Sequence, residues 1–196
     1  MNINIFCVRH GKTEYNEKSL ITGQKDPPLN EEGVDQAVDL FKTLNRSDFK
    51  YFVSSTLKRA SETRDIYIRE IGMEGEFVAM SDSRLNEVSL GSLEGKKRCT
   101  LKEFKNGNID YKCHGGESYR EASRRVGSFL SEIPTFMNEG NIIIFCHTGI
   151  LRIMKSYFDS NIKTGKDIFC INIGNACFFA LESKEVVFSD IWRGNF

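Results

Sequence analysis

Two largely apolar runs, rich in β-branched residues, constrain the fold of this chain more than any other feature. The run Ile3–Cys7 leads to Arg9 and His10, and the run Ile142–Cys146 is followed at once by His147. Runs of this kind are typical of strands that are buried on both faces of a parallel sheet. Functional sites of open α/β sheets lie beyond the carboxyl ends of such strands. We therefore expect His10 and His147 to meet at one edge of a parallel sheet.

The segment Gly11-Lys12-Thr13 is similar to the end of a nucleotide-binding phosphate loop, but the rest of that motif is missing. The pattern G-x4-G-K-[ST] requires another glycine five residues before Gly11. That position is Phe6, and no other copy of the pattern occurs in the chain. A nucleoside triphosphatase of this type is therefore excluded, and the basic strand end needs another explanation.

Composition favours a single globular domain over residues 1–196. A chain of this length buries roughly 70% of its unfolded surface, so no second domain is required. Lysine plus arginine and aspartate plus glutamate number 27 each, which argues against nucleic acid or a membrane surface as a partner. The six cysteines form no C-x-x-C pair, and we expect them to be reduced. The sequence shows no signal-peptide pattern and no apolar segment of membrane-spanning length, so we expect a cytoplasmic protein.

The order of the predicted elements is that of an α/β protein, in which strands alternate with helices. We expect a three-layer α/β/α sandwich with a mostly parallel central sheet and helices on both faces. Between the two histidine-bearing strands the sequence predicts a loop (14–29), a helix capped by Asn30 with Val34, Ala37, Val38, Phe41 and Leu44 inward, strands at 51–53 and 77–80, a helix from about Leu57 with Ala60, Ile66 and Tyr67 inward, and a helix opening at Ser118 that Pro134 kinks or ends. After His147 it predicts a helix from about 150 to 158, strands at 168–173 and 176–181, antiparallel at the edge, and a terminal strand or hairpin arm at 185–192.

Five side chains that suit phosphoryl transfer follow predicted strands. His10 and His147 stand at strand ends, Arg9 precedes His10, and Arg59 and Glu87 follow the next strands by a few residues. In a parallel sheet all these strand ends lie on one edge, so the five groups can converge. A single histidine or arginine at a strand end is as well explained by a structural role. Five such groups at one edge favour a site.

These residues belong to motifs that resemble those of the histidine phosphatase superfamily, which includes phosphoglycerate mutases, fructose bisphosphatases and cobalamin-pathway phosphatases. The resemblance covers nearly the whole chain. Its motifs are Arg9-His10-Gly11-Lys12-Thr13 through Asn16; Thr22-Gly23-Gln24 through Asp26 with Pro28-Leu29, Gly33 and Gln36-Ala37; Ser54-Ser55 with Leu57, Arg59-Ala60 and Thr63; Leu85-Asn86-Glu87 with Gly91 and Glu94-Gly95; Gly115-Gly116-Glu117-Ser118; and His147 with Gly149 and Arg152.

The resemblance implies a role for each residue of the site. His10 would attack phosphorus and form a phosphohistidine, and Glu87 would protonate the leaving oxygen and then activate water. The phosphoryl oxygens would be held by Arg9, Asn16, Arg59 and His147, and further substrate contacts would come from Thr22, Gly23 and Thr148. The surrounding cations should lower the pKa of His10 and keep it nucleophilic. Arginines supply the neutralising charge, so neither a metal ion nor another cofactor is implied.

Within the superfamily three functions remain open. The mutases typically continue past the acidic residue with arginine-histidine-tyrosine-glycine, whereas this chain has Val88-Ser89-Leu90-Gly91. We therefore favour a phosphomonoesterase that acts on a small phosphorylated metabolite. A cofactor-dependent phosphoglycerate mutase is the alternative, and a catalytically inactive protein that binds phosphorylated ligands is a weaker one because His10 and Glu87 are both present. The sequence leaves the phosphate ester and the oligomeric state open.

Several positions have no role that the resemblance explains. Thr148 stands where many members have glycine, Arg64 replaces a common alanine, and His114 takes a place often held by proline. We interpret His114 as an exposed loop histidine and Glu117 as a charge at a helix start. The segment Lys96 to Lys112 has a surplus of positive charge. It is either a solvated helix face or an electrostatic funnel for substrates with more than one anionic group.

Overall fold

The computed structural model describes residues 2–44, 48–72, 76–98 and 106–182. Five strands form one sheet in these ranges: β1 (Asn2–Arg9), β2 (Phe49–Ser54), β3 (Val78–Ser81), β4 (Glu139–Cys146) and β5 (Phe178–Glu182). Their order is β3-β2-β4-β1-β5. The first four run parallel and β5 pairs antiparallel with β1, which confirms the mostly parallel sheet with an antiparallel edge.

Helices cover both faces of this sheet. The described ranges contain α1 (Glu14–Glu17), α2 (Glu31–Thr43), α3 (Lys58–Ile71), α4 (Tyr119–Phe136), α5 (Thr148–Phe158) and α6 (Gly165–Cys170), with short 3-10 turns at Ser83–Leu85 and Gly91–Leu93. Asn30 caps α2 through its side chain, and Ser118 forms a capping box with Glu121 at the start of α4, both as the sequence predicts. No helix in these ranges is long and apolar enough to span a membrane.

The core divides into two layers because successive residues of a strand face opposite sides of the sheet. Ile5 and Cys7 of β1 pack with one cluster, to which α4 and α5 contribute, whereas Phe6 and Val8 pack with the other, to which α2 and α3 contribute. Strand β4 alternates in the same way and is fully buried from Ile142 to Cys146. The three-layer α/β/α sandwich is therefore confirmed.

Some local predictions are wrong. The interval 168–173 is not a strand, because Thr164 forms a capping box with Asp167 and starts α6. The loop predicted at 14–29 contains the short helix α1, which Thr13 caps in the same way. Helix α5 begins at Thr148, ahead of the expected start near 150. The predicted terminal strand at 185–192 lies outside the described residues.

Two helix details also differ from the prediction. Val34 of α2 is 38% exposed, since Gly33 instead faces inward. A Cβ on Gly33 would lie 2.0 Å from the Lys12 carbonyl oxygen, so α2 packs on the loop after β1 at a position that only glycine permits. Of the two outcomes predicted for Pro134, an end of the helix is excluded, because α4 continues to Phe136. The backbone hydrogen bond that proline removes belongs to the last turn of this helix.

Candidate active site

The carboxyl ends of β1, β2 and β4 meet at one edge of the sheet and bring the two histidines together, as predicted. His10 follows β1 and His147 follows β4, and their ring centroids are 5.1 Å apart with the planes inclined at 54°. Ser55, which follows β2, makes a 2.7 Å hydrogen bond with His147 Nε2. Three adjacent parallel strands thus build the floor of the site.

The hydrogen bonds of the His10 ring define its tautomer. Its Nδ1 lies 2.6 Å from the Gly11 carbonyl oxygen, which can only accept, so Nδ1 carries the proton. The Nε2 atom then keeps its lone pair, and Arg59 Nε donates to it across 3.3 Å. Burial lowers the pKa of His10 well below its usual value, and the charges of Arg59 and Arg9 lower it further. The expected effect of the cations is therefore confirmed, although burial is the larger cause.

His147 is fully buried behind His10 and does not line the cavity described below. Ser55 Oγ accepts from the backbone N–H of Leu57, so its own proton can go to His147 Nε2. In that arrangement the ring proton of the neutral imidazole lies on Nδ1; this atom is buried without a partner in the described part of the chain. Burial, Arg59 and His10 hold the pKa of His147 well below its usual range.

Two buried arginines flank His10, and each is fixed by a backbone carbonyl. Arg9 donates from Nη1 to the Ile173 oxygen at 2.6 Å, while its Nε has no partner among the described residues. Arg59 donates from Nη2 to the Gly23 carbonyl oxygen at 2.8 Å and from Nη1 to the Lys25 carbonyl oxygen at 2.7 Å. Burial lowers the pKa of both arginines to about 10, so both stay charged at neutral pH.

Glu87 lies against the N-terminus of α5. Its Oε1 accepts from the backbone N–H of Val88 at 2.9 Å, and both carboxylate oxygens accept from the N–H of Gly149, at 3.1 and 3.2 Å. A Cβ on Gly149 would be 2.4 Å from Glu87 Oε1, so only glycine permits this approach. Arg125 fixes the loop from outside, by donating to the Glu87 carbonyl and pairing with the Glu117 carboxylate. Glu117 also accepts from the backbone N–H of Ser89, so it ties this loop to α4, which differs from the helix-start charge predicted for it.

These groups surround a cavity of about 170 Å³ at the sheet edge. It is lined by Arg9, His10, Asn16, Ile21, Thr22, Gly23, Arg59, Glu87, Val88, Leu90, Arg98, Tyr119, Thr148, Gly149, Arg152, Asn172 and Ile173. Four of these residues are arginines and one is an acid, so the cavity carries a local positive charge in a chain whose formal net charge is zero. Such a site can hold a small anion next to the lone pair of His10.

The four predicted substrate-binding residues all line this cavity. Asn16 accepts on Oδ1 from Thr13, which leaves its amide nitrogen for the cavity. Thr22 Oγ1 is buried without a partner among the described residues. Gly23 contributes its carbonyl to Arg59, and Thr148 is the first residue of α5.

Sequence reasoning assigned no site role to Arg98, Arg152, Tyr119, Asn172 or Ile173. A signal existed for two of them, because Arg152 belongs to a quoted motif and Arg98 to the basic segment. Tyr119 is buried and receives a hydrogen bond from Arg152, and its pKa is raised to about 12, chiefly by burial. Nothing in the sequence around Tyr119 or the loop of Asn172 indicated that they reach the cavity.

The positions left open also have places in the structure. His114 is exposed and does not line the cavity, as interpreted. Arg64 joins β2 to β3 by donating to Ser54 Oγ and to the Met80 carbonyl at 3.0 and 2.8 Å. In the basic segment Lys112 pairs with Glu121, and residues 99–105 lie outside the described ranges.

Comparison with known proteins agrees with this geometry. The model of the histidine phosphatase superfamily (branch 1) matches residues 5–188. The chain is 29% identical over 194 residues to a 2,3-bisphosphoglycerate-dependent phosphoglycerate mutase of Parvibaculum lavamentivorans, covering 92% of this chain and 91% of the mutase. A solved mycobacterial glucosyl-3-phosphoglycerate phosphatase superposes with a TM-score of 0.79 at 23% identity, over 92% of this chain and 90% of the other. An alpha-ribazole phosphatase from Shigella flexneri superposes with a TM-score of 0.74 at 22% identity, over 90% and 88% of the two chains. The chain belongs to the histidine phosphatase superfamily.

Proposed function

We propose that this protein is a phosphomonoesterase that hydrolyses a small phosphorylated metabolite through a phosphohistidine on His10, with Glu87 as proton donor. One observation carries the proposal: His10 is buried, neutral and protonated on Nδ1, so Nε2 carries the lone pair at the wall of an arginine-lined cavity. Arg59 Nε donates to this lone pair in the structure, and an incoming phosphoryl group would replace that contact. The presence of Glu87 on the wall of the same cavity favours catalysis over mere binding of a phosphorylated ligand.

The reaction has two steps. His10 Nε2 forms a bond to phosphorus while the bond from phosphorus to the ester oxygen breaks, and Glu87 gives its proton to that oxygen as the alcohol leaves. Water then attacks the phosphohistidine, Glu87 takes a proton from the water, and the N–P bond breaks to release phosphate. Arg9 and Arg59 neutralise the charge on the phosphoryl oxygens in both steps.

Two residues on the cavity wall have a buried polar atom without a partner among the described residues, and these atoms support a binding place for the phosphoryl group. They are Arg9 Nε and Thr22 Oγ1; His147 Nδ1 also lacks such a partner, but His147 does not line the cavity. Because buried polar groups are almost always hydrogen-bonded, such atoms are expected to be completed by a ligand or by water. The arginines supply the charge that magnesium supplies in other phosphoryl-transfer enzymes, so the mechanism needs no metal ion.

A cofactor-dependent phosphoglycerate mutase is the second candidate, and the mutase of Parvibaculum lavamentivorans supports it. We favour hydrolysis because the wall next to Glu87 carries the apolar side chains of Val88 and Leu90. These side chains offer no donor to the second phosphate or the carboxylate of a bisphosphorylated cofactor. Arg98 and Arg152 offer donors elsewhere on the cavity wall, and they keep the mutase as the second candidate. The funnel role of the basic segment remains a prediction.

The compartment that we propose is the cytoplasm. The free thiols of Cys7 and Cys113 suit its reducing conditions.

The decisive experiment traps the intermediate. Brief incubation with a labelled phosphate ester, quenched without acid, should leave label on His10 as an acid-labile, base-stable adduct, and His10→Ala should trap none. Retained turnover in His10→Ala would exclude this nucleophile. A panel of phosphorylated metabolites separates the two candidates: phosphate release indicates the phosphatase, whereas isomer formation from 3-phosphoglycerate that depends on its bisphosphate indicates the mutase.

A further inference from the structure

The turn between α6 and β5 contacts the backbone of Arg9 and His10, which the sequence did not predict. Ala176 donates its backbone N–H to the His10 carbonyl at 3.2 Å, and Cys177 accepts from the backbone N–H of Arg9 at 3.0 Å. Ala176 has a φ of 49°, in the left-handed region that residues other than glycine seldom occupy. Such a conformation persists only where the surrounding structure holds it in place. Here the hydrogen bonds to Arg9 and His10 tie the turn to the backbone at the end of β1.

The side chain of Asn175, in the middle of this turn, reaches three acceptors around the nucleophile. Its Nδ2 lies 3.1 Å from the His10 carbonyl oxygen, 3.3 Å from the Gly11 carbonyl oxygen and 3.3 Å from Asn16 Oδ1. The Gly11 oxygen is the atom that also accepts from His10 Nδ1. The two N–H groups of one amide are thus shared among three acceptors: the backbone of His10, the carbonyl that fixes its tautomer and a residue of the cavity wall.

The contact with Asn16 has a second consequence. Asn16 Oδ1 already accepts from the backbone N–H and the hydroxyl of Thr13, both at 3.1 Å. With Asn175 as a third donor, this oxygen is fixed on the side away from the cavity, and the Asn16 amide nitrogen is left to face it. A donor at that place can bind a phosphoryl oxygen, whereas a flipped amide would present an acceptor and repel it.

We infer that Asn175 is a positioning residue of this site, which holds His10 with its proton on Nδ1 through the Gly11 carbonyl and orients the Asn16 amide toward the phosphoryl group. The effect of Asn175 on the reaction rate rests on the proposed phosphohistidine mechanism. Its effect on the tautomer of His10 and on the orientation of Asn16 is independent of that mechanism. Groups that orient a reacting side chain act on the rate because small misplacements of the attacking atom are costly.

The test compares Asn175→Asp with Asn175→Ala. Aspartate has the shape of asparagine but has lost the donors and sets a carboxylate against three oxygens. If Asn175 acts as a donor, the single-turnover rate of phosphohistidine formation from p-nitrophenyl phosphate should fall roughly ten-fold or more in Asn175→Ala, and at least as much in Asn175→Asp. If the side chain only fills space, aspartate should be the milder change, and this result would overturn the inference. Asn161→Ala, which removes an exposed amide that donates to Asp159 two residues earlier in the chain, should keep the wild-type rate.

Two further measurements separate this inference from the mechanism. Imidazole ¹⁵N chemical shifts of the ligand-free protein should show His10 protonated on Nδ1 alone, and this preference should weaken in both Asn175 variants. Binding of inorganic phosphate should weaken in them as well, while thermal unfolding checks that they fold. An unchanged tautomer and an unchanged phosphate affinity would refute the inference about Asn175. A wild-type protein that forms no phosphohistidine would instead refute the proposed function, and the shifts would still decide the geometry.

Discussion

At the scale of single residues, burial decides which groups of this site can react. His10 and His147 are neutral because an imidazolium would be costly in a buried place beside two arginines. The arginines remain charged because their ordinary pKa is so high that burial leaves it at about 10. In the proposed mechanism, the same environment supplies an uncharged imidazole to attack phosphorus and charged guanidinium groups to bind the phosphoryl oxygens. A lysine in place of Arg59 would lack the planar fork that donates to two carbonyls and to His10.

The role of Glu87 can be tested by varying the leaving group. Glu87→Gln removes the proton donor, so phosphohistidine formation from an alkyl phosphate should slow by roughly 10²- to 10⁴-fold. With p-nitrophenyl phosphate the loss should be much smaller, since that leaving group departs without a proton. Rapid-quench measurement of the first step compares the two esters directly.

Glu139→Gln, which changes an exposed carboxylate at the start of β4, is the matched control and should leave both rates unchanged. Equal losses on alkyl and aryl esters in Glu87→Gln would argue against the acid role. They would indicate that Glu87 serves to position the substrate or the start of α5.

At the scale of elements, the sequence was informative wherever one local rule acted alone. The buried strands β1 and β4 were predicted because their apolar runs are continuous, and the caps of α2 and α4 because Asn30 and Ser118 follow known patterns. Helix α6 differs from the strand predicted at 168–173 because the capping box of Thr164 and Asp167 starts a helix just before these apolar residues. The contacts of Asn175 could not be predicted, because they join residues about 160 positions apart through a turn without a sequence signature.

The start of α5 offers a test of how an element places a catalytic group. Gly149→Ala would set a Cβ 2.4 Å from Glu87 Oε1, so the carboxylate must move off the helix N-terminus. We expect the first-step rate with an alkyl phosphate to fall by about ten-fold or more, because a displaced acid no longer reaches the leaving oxygen. Activity with p-nitrophenyl phosphate should fall less.

A double-mutant cycle supplies the control for this substitution. In a Glu87→Ala background the carboxylate is already gone, although the new Cβ still meets Val88 Cγ2 at 2.9 Å, so Gly149→Ala should cost less there than in the wild-type protein. Losses that multiply fully in the double variant would show that Gly149 acts on the cavity by a route independent of Glu87.

At the scale of the whole molecule, the site makes demands on stability that the rest of the fold must offset. Two histidines and two arginines are buried at one sheet edge of a chain with no formal net charge. The two-layered core built around β1 and β4 supplies the compensating apolar burial. Because both histidines must stay neutral in the folded protein, the free energy of burying them depends on pH. The free energy of unfolding should therefore depend on pH as well.

The pH dependence of stability follows from the lowered pKa values of His10 and His147. Below pH 6.5 the unfolded chain binds protons at both imidazoles and the folded chain does not, so acid favours unfolding; above that pH the full stability is present. From about pH 7.5 to about pH 5.5 the free energy of unfolding should decrease by about 1.4 kcal/mol for each buried histidine, or about 2.7 kcal/mol for the pair. Urea unfolding at these pH values measures the difference.

His10→Gln should roughly halve the decrease, whereas His114→Gln, at an exposed histidine, should leave it unchanged. A stability that does not vary over this range, or a decrease that His10→Gln leaves intact, would show that the buried imidazoles accept protons in the folded state.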